Sequence, residues 1–482
     1  MLFNSLNFII FFVAVVVIYY LLPKNSWRKV FLLGASYYFY ACFNFAMLSI
    51  LLLETAVAYG YGRLRTMTLT MTMTKQKSLL SATIILLLLP LLCFKYLNFL
   101  MCTVGDVLAL SGALVEMPSF ELLLPIGISF YTFMAVGYVV DVYKCKIEAE
   151  KNLLDFALFV GFFPQIASGP IGRAGQLIPQ LKVHHPLLYA NITAGAKMML
   201  WGFFMKLVVG DRAGIYVDTV FGNYAHHNGT SLLLSTFMYT IQIYCDFAGY
   251  SLIAIGCAKM MGIELMENFR RPYFATSVAD FWRKWHISLS TWFRDYVYFP
   301  CGGSRCSTLK TYRNLMITFL VSGLWHGAAY NFILWGGYHG LNQVFGKLLQ
   351  PAKDACRKVL HIGDTSIVRK VWDIALTFCL IAYGWMLFYA PDMQFIVDVT
   401  KGYLHLGAPY IHQTTIFFFV IGFALLLLKD FKDEFYAERV ASIKEKHPKF
   451  SIGWNYVKFA ALAILIVWIG VLGGGQFIYF KF

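Results

Sequence analysis

The chain has 482 residues, of which 59% are hydrophobic and only 13% are charged. A soluble domain carries about 25% charged residues, so this composition excludes a soluble globular protein and leaves lipid as the main solvent. The net charge is +15, but the basic residues alternate with apolar segments and do not form one soluble basic domain. Nucleic-acid binding is therefore not expected. We expect an all-α polytopic membrane protein.

The N-terminal part of the chain alternates apolar spans with basic loops. The first span, residues 6–22, contains no charge and is interpreted as a retained anchor rather than a cleaved signal. Lys24 follows it and places the N-terminus outside, because cytoplasmic loops are enriched in lysine and arginine. A second basic loop contains Lys75 and Lys77. The apolar stretch 30–61 between these loops is therefore expected to cross twice or to dip and return.

The next two spans, 79–101 and 122–143, flank a loop that contains Asp106 and Glu121 but no lysine or arginine, so this loop is predicted to be exterior. Segment 161–172 is apolar but contains two prolines and three glycines, which break helices. Non-helical backbone at membrane depth must be buried in protein or line a cavity. A re-entrant segment is therefore predicted, with a surface loop as the alternative.

The second half of the chain contains further apolar spans. They are expected near residues 194–209, 232–255, 371–389, 414–428 and 457–472. Stretch 315–346 lies between two basic loops and should also cross twice or re-enter. At about 20 residues per span, the chain is expected to have about 10–12 transmembrane or re-entrant helices. Without a tandem repeat or a soluble region, residues 1–482 are interpreted as a single domain.

One histidine, His326, lies inside an apolar segment with the sequence Leu-Trp-His-Gly. Ionisable residues at membrane depth are costly and mark functional sites by default; the alternative is an imidazole hydrogen-bonded to a neighbouring helix. Gly323 and Gly327 would let another backbone approach closely, and Ser322 could share the face of His326. His339 lies 13 residues later, so on an unbroken helix it would point to a different face.

A second histidine, His286, belongs to an amphipathic segment, 281–296, which is predicted to form one interfacial helix. Its apolar face carries Trp282 and His286 together. Three cations lie away from the centre of that face: Arg283, Lys284 and Arg294. Taken alone, His286 is interpreted as an interfacial histidine.

Asp246 is a third ionisable group inside an apolar span, where it could orient a histidine or pair with an arginine. The ten cysteines show no disulfide or zinc spacing and are interpreted as free thiols. The chain has no phosphate-binding loop, zinc-protease motif or nucleophile elbow. We therefore expect no metal site and no serine-hydrolase triad.

Five segments of the chain, taken together, resemble the membrane-bound O-acyltransferase family, in particular the branch of the alginate O-acetyltransferase membrane subunit. They are residues 163–171 (Phe-Pro-Gln-Ile-Ala-Ser-Gly-Pro-Ile), 244–251 (Tyr-Cys-Asp-Phe-Ala-Gly-Tyr-Ser), 267–273 (Glu-Asn-Phe-Arg-Arg-Pro-Tyr), 281–296 and 323–328 (Gly-Leu-Trp-His-Gly-Ala). Their order and spacing agree with the family over about residues 120–345.

The resemblance implies a curved bundle of helices around a central tunnel that joins cytosol and exterior. It implies that His326 is the catalytic histidine, as a general base or a transient acyl carrier, and that His286 is the second polar residue of the active site. The residues expected to bind the coenzyme are Arg283, Lys284, Arg294, Trp282 and Trp285. Further candidate polar residues of the tunnel are Asp246, Ser322, Tyr330 and Gln165. No tightly bound cofactor is expected; acetyl-CoA or another acyl-CoA would be a cosubstrate.

The function that follows is transfer of an acetyl group from cytosolic acetyl-CoA for O-acetylation of an exported or cell-surface polysaccharide. The expected location is the bacterial inner membrane, and the expected partner is an extracytoplasmic SGNH-type acetyltransferase. Acylation of a teichoic acid, including D-alanyl transfer, or of a secreted protein remains open. The other alternative is a transporter of polysaccharide or its lipid carrier. Transporters often have paired broken helices, and the single broken segment, 161–172, has no counterpart in the second half.

Overall fold

The computed structural model describes residues 1–67, 72–112, 115, 117–167, 169–359, 363, 366–473 and 477. Helices are the regular elements of these described residues. Six helices are long and apolar enough to cross a membrane: Met73–Leu110, Tyr189–Phe221, Gly229–Met260, Ile367–Tyr389, Gln413–Phe435 and Pro448–Ile469. The predicted all-α, multi-pass membrane fold is confirmed; the tunnel remains a prediction.

The helices of the first half of the chain follow the predicted spans with shifted ends. They are α1 (Leu6–Leu21), α2 (Asn25–Ala41), α3 (Leu48–Met67), α4 (Met73–Leu110), α5 (Ile128–Tyr143), α6 (Leu153–Gly161), α7 (Phe163–Ile166), α8 (Ala174–Lys182), α9 (Tyr189–Phe221) and α10 (Gly229–Met260). Stretch 30–61 is divided between α2 and α3, as the two basic loops predicted. Two of these long helices contain a wider π-helical turn, at Leu92–Tyr96 in α4 and at Phe204–Gly210 in α9.

The second half of the chain contains shorter helices between long ones. They are α11 (Val278–Lys284), α12 (Ile287–Phe293), α13 (Thr308–His326), α14 (Tyr330–Leu348), α15 (Gln350–Val359), α16 (Ile367–Tyr389), α17 (Met393–Gly402), α18 (Gln413–Phe435), α19 (Ala437–Lys446) and α20 (Pro448–Ile469). Stretch 315–346 is broken at residues 327–329, so α14 folds back along α13. This agrees with the prediction that the stretch crosses twice or re-enters.

The broken segment 161–172 is buried in protein, as predicted for non-helical backbone at membrane depth. After α7 the described residues leave helical geometry, and Phe163 and Ile166 are fully buried; Ser168 lies outside the described residues. The span predicted at 122–143 becomes helical only at Ile128. Its start was wrong because Gly127, with φ +74, turns the chain immediately before α5.

The described residues form two compact units. The first is drawn from residues 1–196, 254–266 and 327–329, and the second from 197–253, 267–326 and 330–482. The interpretation of residues 1–482 as one domain stays a prediction. Of the site residues predicted from sequence, Gln165 lies in the first unit and the others lie in the second.

Candidate active site

His326 is the last residue of α13 and is held where α13 and α14 come closest. Gly323 of α13 lies against the backbone of Phe332, and a Cβ atom there would be 2.2 Å from the Phe332 carbonyl oxygen. Gly336 of α14 lies in the same way against the Phe319 carbonyl, with a Cβ distance of 2.4 Å. Side chains larger than hydrogen would force the helices apart, so these glycines fix the position of His326.

Aromatic rings surround the His326 imidazole, which is only 4% exposed. The ring centroids of Trp325 and Trp335 each lie 4.9 Å from it, and that of Phe388 lies 5.2 Å away. All three rings meet the imidazole edge to face. Water is excluded from these sides of the ring, which strengthens the electrostatic interactions of any polar group that reaches it.

His286 lies at a break between α11 and α12, so the single helix predicted over 281–296 is wrong. Its backbone has φ +43 and ψ +54, a left-handed conformation that costs a residue other than glycine about 1–3 kcal/mol. Periodicity indicated a continuous amphipathic helix because every residue around His286 is compatible with one. The break depends on a hydrogen-bonding partner 18 positions earlier in the chain.

That partner is Asn268, which is 1% exposed. Its backbone carbonyl accepts a hydrogen bond from the Ile287 amide (2.9 Å). Its side-chain Oδ1 accepts two more, from the Ser288 amide (3.2 Å) and the Ser288 hydroxyl (2.9 Å). The sequence analysis did not identify Asn268, although it lies in one of the five family-like segments; an asparagine inside that segment was the available signal.

The His286 side chain is fully buried among rings. The Phe247 centroid lies 4.5 Å from the imidazole and the Trp325 centroid lies 6.1 Å from it. His286 is outside the six long spans, and burial lowers its pKa to about 3. It is therefore a neutral imidazole at physiological pH, which donates one hydrogen bond from one ring nitrogen and accepts one at the other. Trp325 lies beside both His286 and His326 and connects the two.

A third histidine, His339, belongs to the same aromatic cluster. The centroid of Trp335 lies 4.9 Å from His339, as it does from His326 on its other side. Within the described part of the chain, neither ring nitrogen of His339 has a hydrogen-bond partner. The expectation that His339 points away from His326 assumed an unbroken helix. It fails because the turn at 327–329 brings α14 back along α13.

Trp282 and Trp285, predicted to bind the coenzyme, belong to this cluster too. The Trp282 centroid lies 5.0 Å from His339 and 5.6 Å from Trp335. The Trp285 centroid lies 4.7 Å from Trp385, and its side chain is almost fully buried. In this structure both indoles pack against the histidine cluster, so an interaction with a coenzyme would have to occur at its edge.

The three predicted coenzyme-binding cations differ in how far their charge is neutralised. Lys284 is 16% exposed and contacts Glu434 at 2.8 Å and Asp280 at 3.5 Å. Arg283 is 73% exposed, and its contact with Asp280 is longer, at 3.9 Å. Arg294 is 54% exposed and pairs with Asp295 at 2.9 Å. The two arginines are thus more accessible to a polyanion than Lys284 is.

Asp246 is paired with Lys206, a residue that sequence analysis did not identify. The Lys206 ammonium lies in the π-helical turn of α9, is buried, and forms salt bridges with Asp246 and with Asp211, the latter at 2.8 Å. The expected partner was an arginine or a histidine. The signal available in the sequence was a lysine inside the span predicted at 194–209.

The remaining candidate tunnel residues are spread over both units. Ser322 is buried on α13, one turn before His326. Tyr330 begins α14 and is 47% exposed. Gln165 is buried in the first unit, where its side-chain nitrogen donates to the Pro170 carbonyl at 3.1 Å. Ser322 and Tyr330 lie near the turn that follows His326, whereas Gln165 stabilises the broken segment.

The fold and the site together define a multi-pass α-helical membrane protein with buried histidines enclosed by tryptophans. The model of the membrane-bound O-acyltransferase family matches residues 146–354, which include His286 and His326. The chain is 37% identical over 394 residues to "Probable alginate O-acetylase AlgI" of Pseudomonas aeruginosa, covering 82% of this chain and 73% of that protein. The chain therefore belongs to the membrane-bound O-acyltransferase family, and it is a membrane O-acyltransferase.

Two further relatives carry different names. The chain is 32% identical to "Peptidoglycan O-acetyltransferase" of Helicobacter pylori, over 65% of this chain and 62% of that protein. It is 28% identical to "Teichoic acid D-alanyltransferase" of Bacillus subtilis, over 56% of this chain and 70% of that protein. The relatives share acyl transfer but differ in the acceptor and acyl group that their names specify.

Proposed function

We propose that this O-acyltransferase takes an acetyl group from cytosolic acetyl-CoA and passes it across the bacterial inner membrane for O-acetylation of an exported polysaccharide. The observation that carries the proposal is the cluster in which His326 and His286 flank Trp325. The choice of polysaccharide is supported by the alginate O-acetylase relative, which matches 82% of this chain, against 56% for the teichoic acid enzyme.

In the proposed reaction, His326 acts as a general base on the hydroxyl group of the acceptor, which attacks the thioester of acetyl-CoA. Its imidazole takes the hydroxyl proton while the hydroxyl oxygen bonds to the thioester carbonyl carbon. The carbon–sulfur bond then breaks, and the imidazolium returns the proton to the leaving thiolate. His286, neutral and buried nearby, would donate a hydrogen bond to the carbonyl oxygen as its negative charge develops.

The proposed orientation has the N-terminus outside and the coenzyme on the cytoplasmic side. The support is the basic loops, which favour the cytoplasmic face, and the two exposed arginines, Arg283 and Arg294, which would contact the coenzyme phosphates. The acetyl group would pass to an extracytoplasmic SGNH-type acetyltransferase, which then modifies the polymer.

The test compares cells that lack the gene with cells that express wild type, His326→Ala or His447→Ala at equal protein level. His447 is an exposed histidine and serves as the matched control. Loss of a general base typically costs about 10²–10⁴-fold. His326→Ala should therefore reduce to background both the polysaccharide acetyl content of cells and the release of CoA in proteoliposomes supplied with acetyl-CoA and the acceptor. His447→Ala should match wild type. Normal acetylation with His326→Ala would refute the proposal.

The second candidate is D-alanyl transfer to a teichoic acid, favoured by the 70% coverage of the Bacillus subtilis relative. The two candidates require different donors, since one uses acetyl-CoA and the other a D-alanyl thioester. Supplying each thioester separately to the same proteoliposomes distinguishes them. If turnover that depends on His326 occurs only with the D-alanyl donor, D-alanyl transfer replaces acetyl transfer as the proposed function. The transporter alternative is set aside because the chain belongs to an acyltransferase family.

A further inference from the structure

We propose that Asn268 is a positioning residue for His286: it caps helix α12 in place of the histidine and so holds the backbone break that sets the direction of the imidazole. This inference rests on the proposed function, in which His286 acts on the thioester carbonyl. Asn268 itself is not expected to touch substrate.

The first step of the argument concerns the start of α12. The residue before a helix normally uses its side chain to accept a hydrogen bond from one of the first free amides of the helix. His286 occupies this N-cap position, but its side chain makes no capping hydrogen bond. The amides of Ile287 and Ser288 instead donate to the backbone oxygen and the Oδ1 of Asn268. Asn268 therefore supplies the cap from a different segment.

The second step concerns the backbone of His286. Its left-handed conformation (φ +43) is unfavourable for a histidine and persists only when surrounding contacts enforce it. The three hydrogen bonds of Asn268 fix the two residues that follow His286. A further backbone bond, from the Arg270 amide to the Lys284 carbonyl (2.9 Å), fixes the chain before it. Both sides of the break are thus tied to segment 268–270.

The third step is that this arrangement aims the ring. An unbroken helix through 281–296 would leave His286 on the face it shares with Trp282. The break instead sets the imidazole against Phe247 and Trp325. Asn268 is almost completely buried, so its carbonyl groups have no water to bond instead. Losing its acceptor leaves buried Ser288 donors unsatisfied, and the break loses its support.

The activity test uses full-length protein in proteoliposomes that are supplied with acetyl-CoA and with the proposed acceptor, the polysaccharide together with its extracytoplasmic acetyltransferase. Asn268→Leu removes the Oδ1 acceptor at nearly constant size and leaves the backbone carbonyl, whereas Asn268→Asp keeps an Oδ atom. A misplacement of about 1 Å costs on the order of 10²-fold, so we expect Asn268→Leu to lower kcat by about 10²-fold, with KM for acetyl-CoA nearly unchanged. Asn268→Asp should retain at least a tenth of the wild-type kcat, so its activation barrier should be at most about 1.4 kcal/mol above that of the wild type.

A matched pair of milder variants guards against misfolding of Asn268→Leu. Ser288→Ala removes one hydrogen bond to Asn268, whereas Ser290→Ala removes a hydroxyl of the same helix that bonds to the Trp285 carbonyl. We expect Ser288→Ala to lower kcat several-fold and Ser290→Ala to leave it unchanged. Equal effects of the two would overturn the inference.

Two readouts separate positioning from a general structural role. In the His286→Ala background, Asn268→Leu should reduce kcat little further, because residues that act as one unit are not additive; a full additional loss would overturn the inference. By hydrogen exchange, Asn268→Leu should speed exchange of the Ser288 amide, whose Oδ1 acceptor it removes, but not of the α13 amides.

The outcomes also separate this inference from the proposed function. If turnover of the wild-type protein does not depend on His326, the proposed function is refuted. The exchange measurement would still decide the capping role, since unchanged exchange of the Ser288 amide in Asn268→Leu refutes it. If turnover depends on His326 but Asn268→Leu has the wild-type kcat, only the positioning role is refuted.

Discussion

Lys206 carries a buried positive charge between two carboxylates, those of Asp211 and Asp246. Removing water from three charged groups is expensive, and their mutual attraction offsets that cost only while all partners are present. The cluster therefore stabilises the turn of α9 against α10 in one arrangement. Its composition also means that any change to the lysine leaves two acids facing one another.

We predict that Lys206→Met destabilises the protein by about 3–5 kcal/mol, the usual cost of leaving a buried charge without its partner. The matched control is Arg270→Met, which breaks an exposed pair with Glu267 whose side chains are 58% and 49% exposed. Exposed pairs contribute about 0–1 kcal/mol. Thermal unfolding in detergent should show a large shift for Lys206→Met and almost none for Arg270→Met; equal shifts would contradict the prediction.

At the scale of single residues, the sequence indicated His326, His286 and Asp246 as candidates but did not reveal the residues around them. An ionisable residue in an apolar run is visible without a structure because its cost is local. The partners are not visible, since Lys206 is 40 positions from Asp246 and Asn268 is 18 positions from the residue it supports. Local periodicity carries no information about contacts at such distances.

The α13–α14 hairpin is the element that brings His326 and His339 to the same tryptophan. Its two helices pack through Gly323 and Gly336, so their separation is set by backbone contact rather than by side chains. The basic loops on either side of stretch 315–346 predicted that this stretch crosses twice or re-enters. They did not predict the turn position, because the sequence His-Gly-Ala-Ala (326–329) contains no proline or strong turn signal.

We predict that Gly336→Ala displaces α13 and lowers acyl transfer by about 10²-fold, the usual cost of about 1 Å of misplacement, because its Cβ would lie 2.4 Å from the Phe319 carbonyl oxygen. Gly337→Ala is the control on the next residue, where the nearest atom is a Leu320 methyl at 3.8 Å. Alanine favours a helix over glycine by up to about 1 kcal/mol, so Gly337→Ala should be neutral or stabilising. Turnover and unfolding temperature of both variants check this.

The helix break at His286, unlike the return of the α13–α14 hairpin, was not predicted from the sequence. Every residue of 281–296 suits an amphipathic helix, and the hydrogen bonds from segment 268–270 support the break. Sequence analysis thus succeeds for elements defined by length and apolar content and fails where a tertiary hydrogen bond overrides helix geometry. In this chain that failure falls on a segment of the candidate active site, and backbone strain is common at functional sites.

On the scale of the whole molecule, composition alone identified a multi-pass α-helical protein, and six long spans in the described residues agree. The orientation is testable. We predict that Asp106→Cys, in a background without the natural cysteines, reacts with an impermeant maleimide on intact cells. Lys75→Cys should react only after permeabilisation, because this end of α4 is basic and hence expected to be cytoplasmic. The opposite labelling pattern would reverse the proposed topology.

The ends of α4, to which Lys75 and Asp106 belong, have one more consequence. Residues 79–105 contain a single charge, Lys95, and would span about 40 Å as a helix, against a hydrocarbon thickness of about 30 Å. Few side chains of this helix are buried in the protein. Lipid must therefore cover it, through tilt or local thickening of the bilayer. Hydrophobic mismatch at α4 makes membrane thickness a variable to which this enzyme is expected to respond.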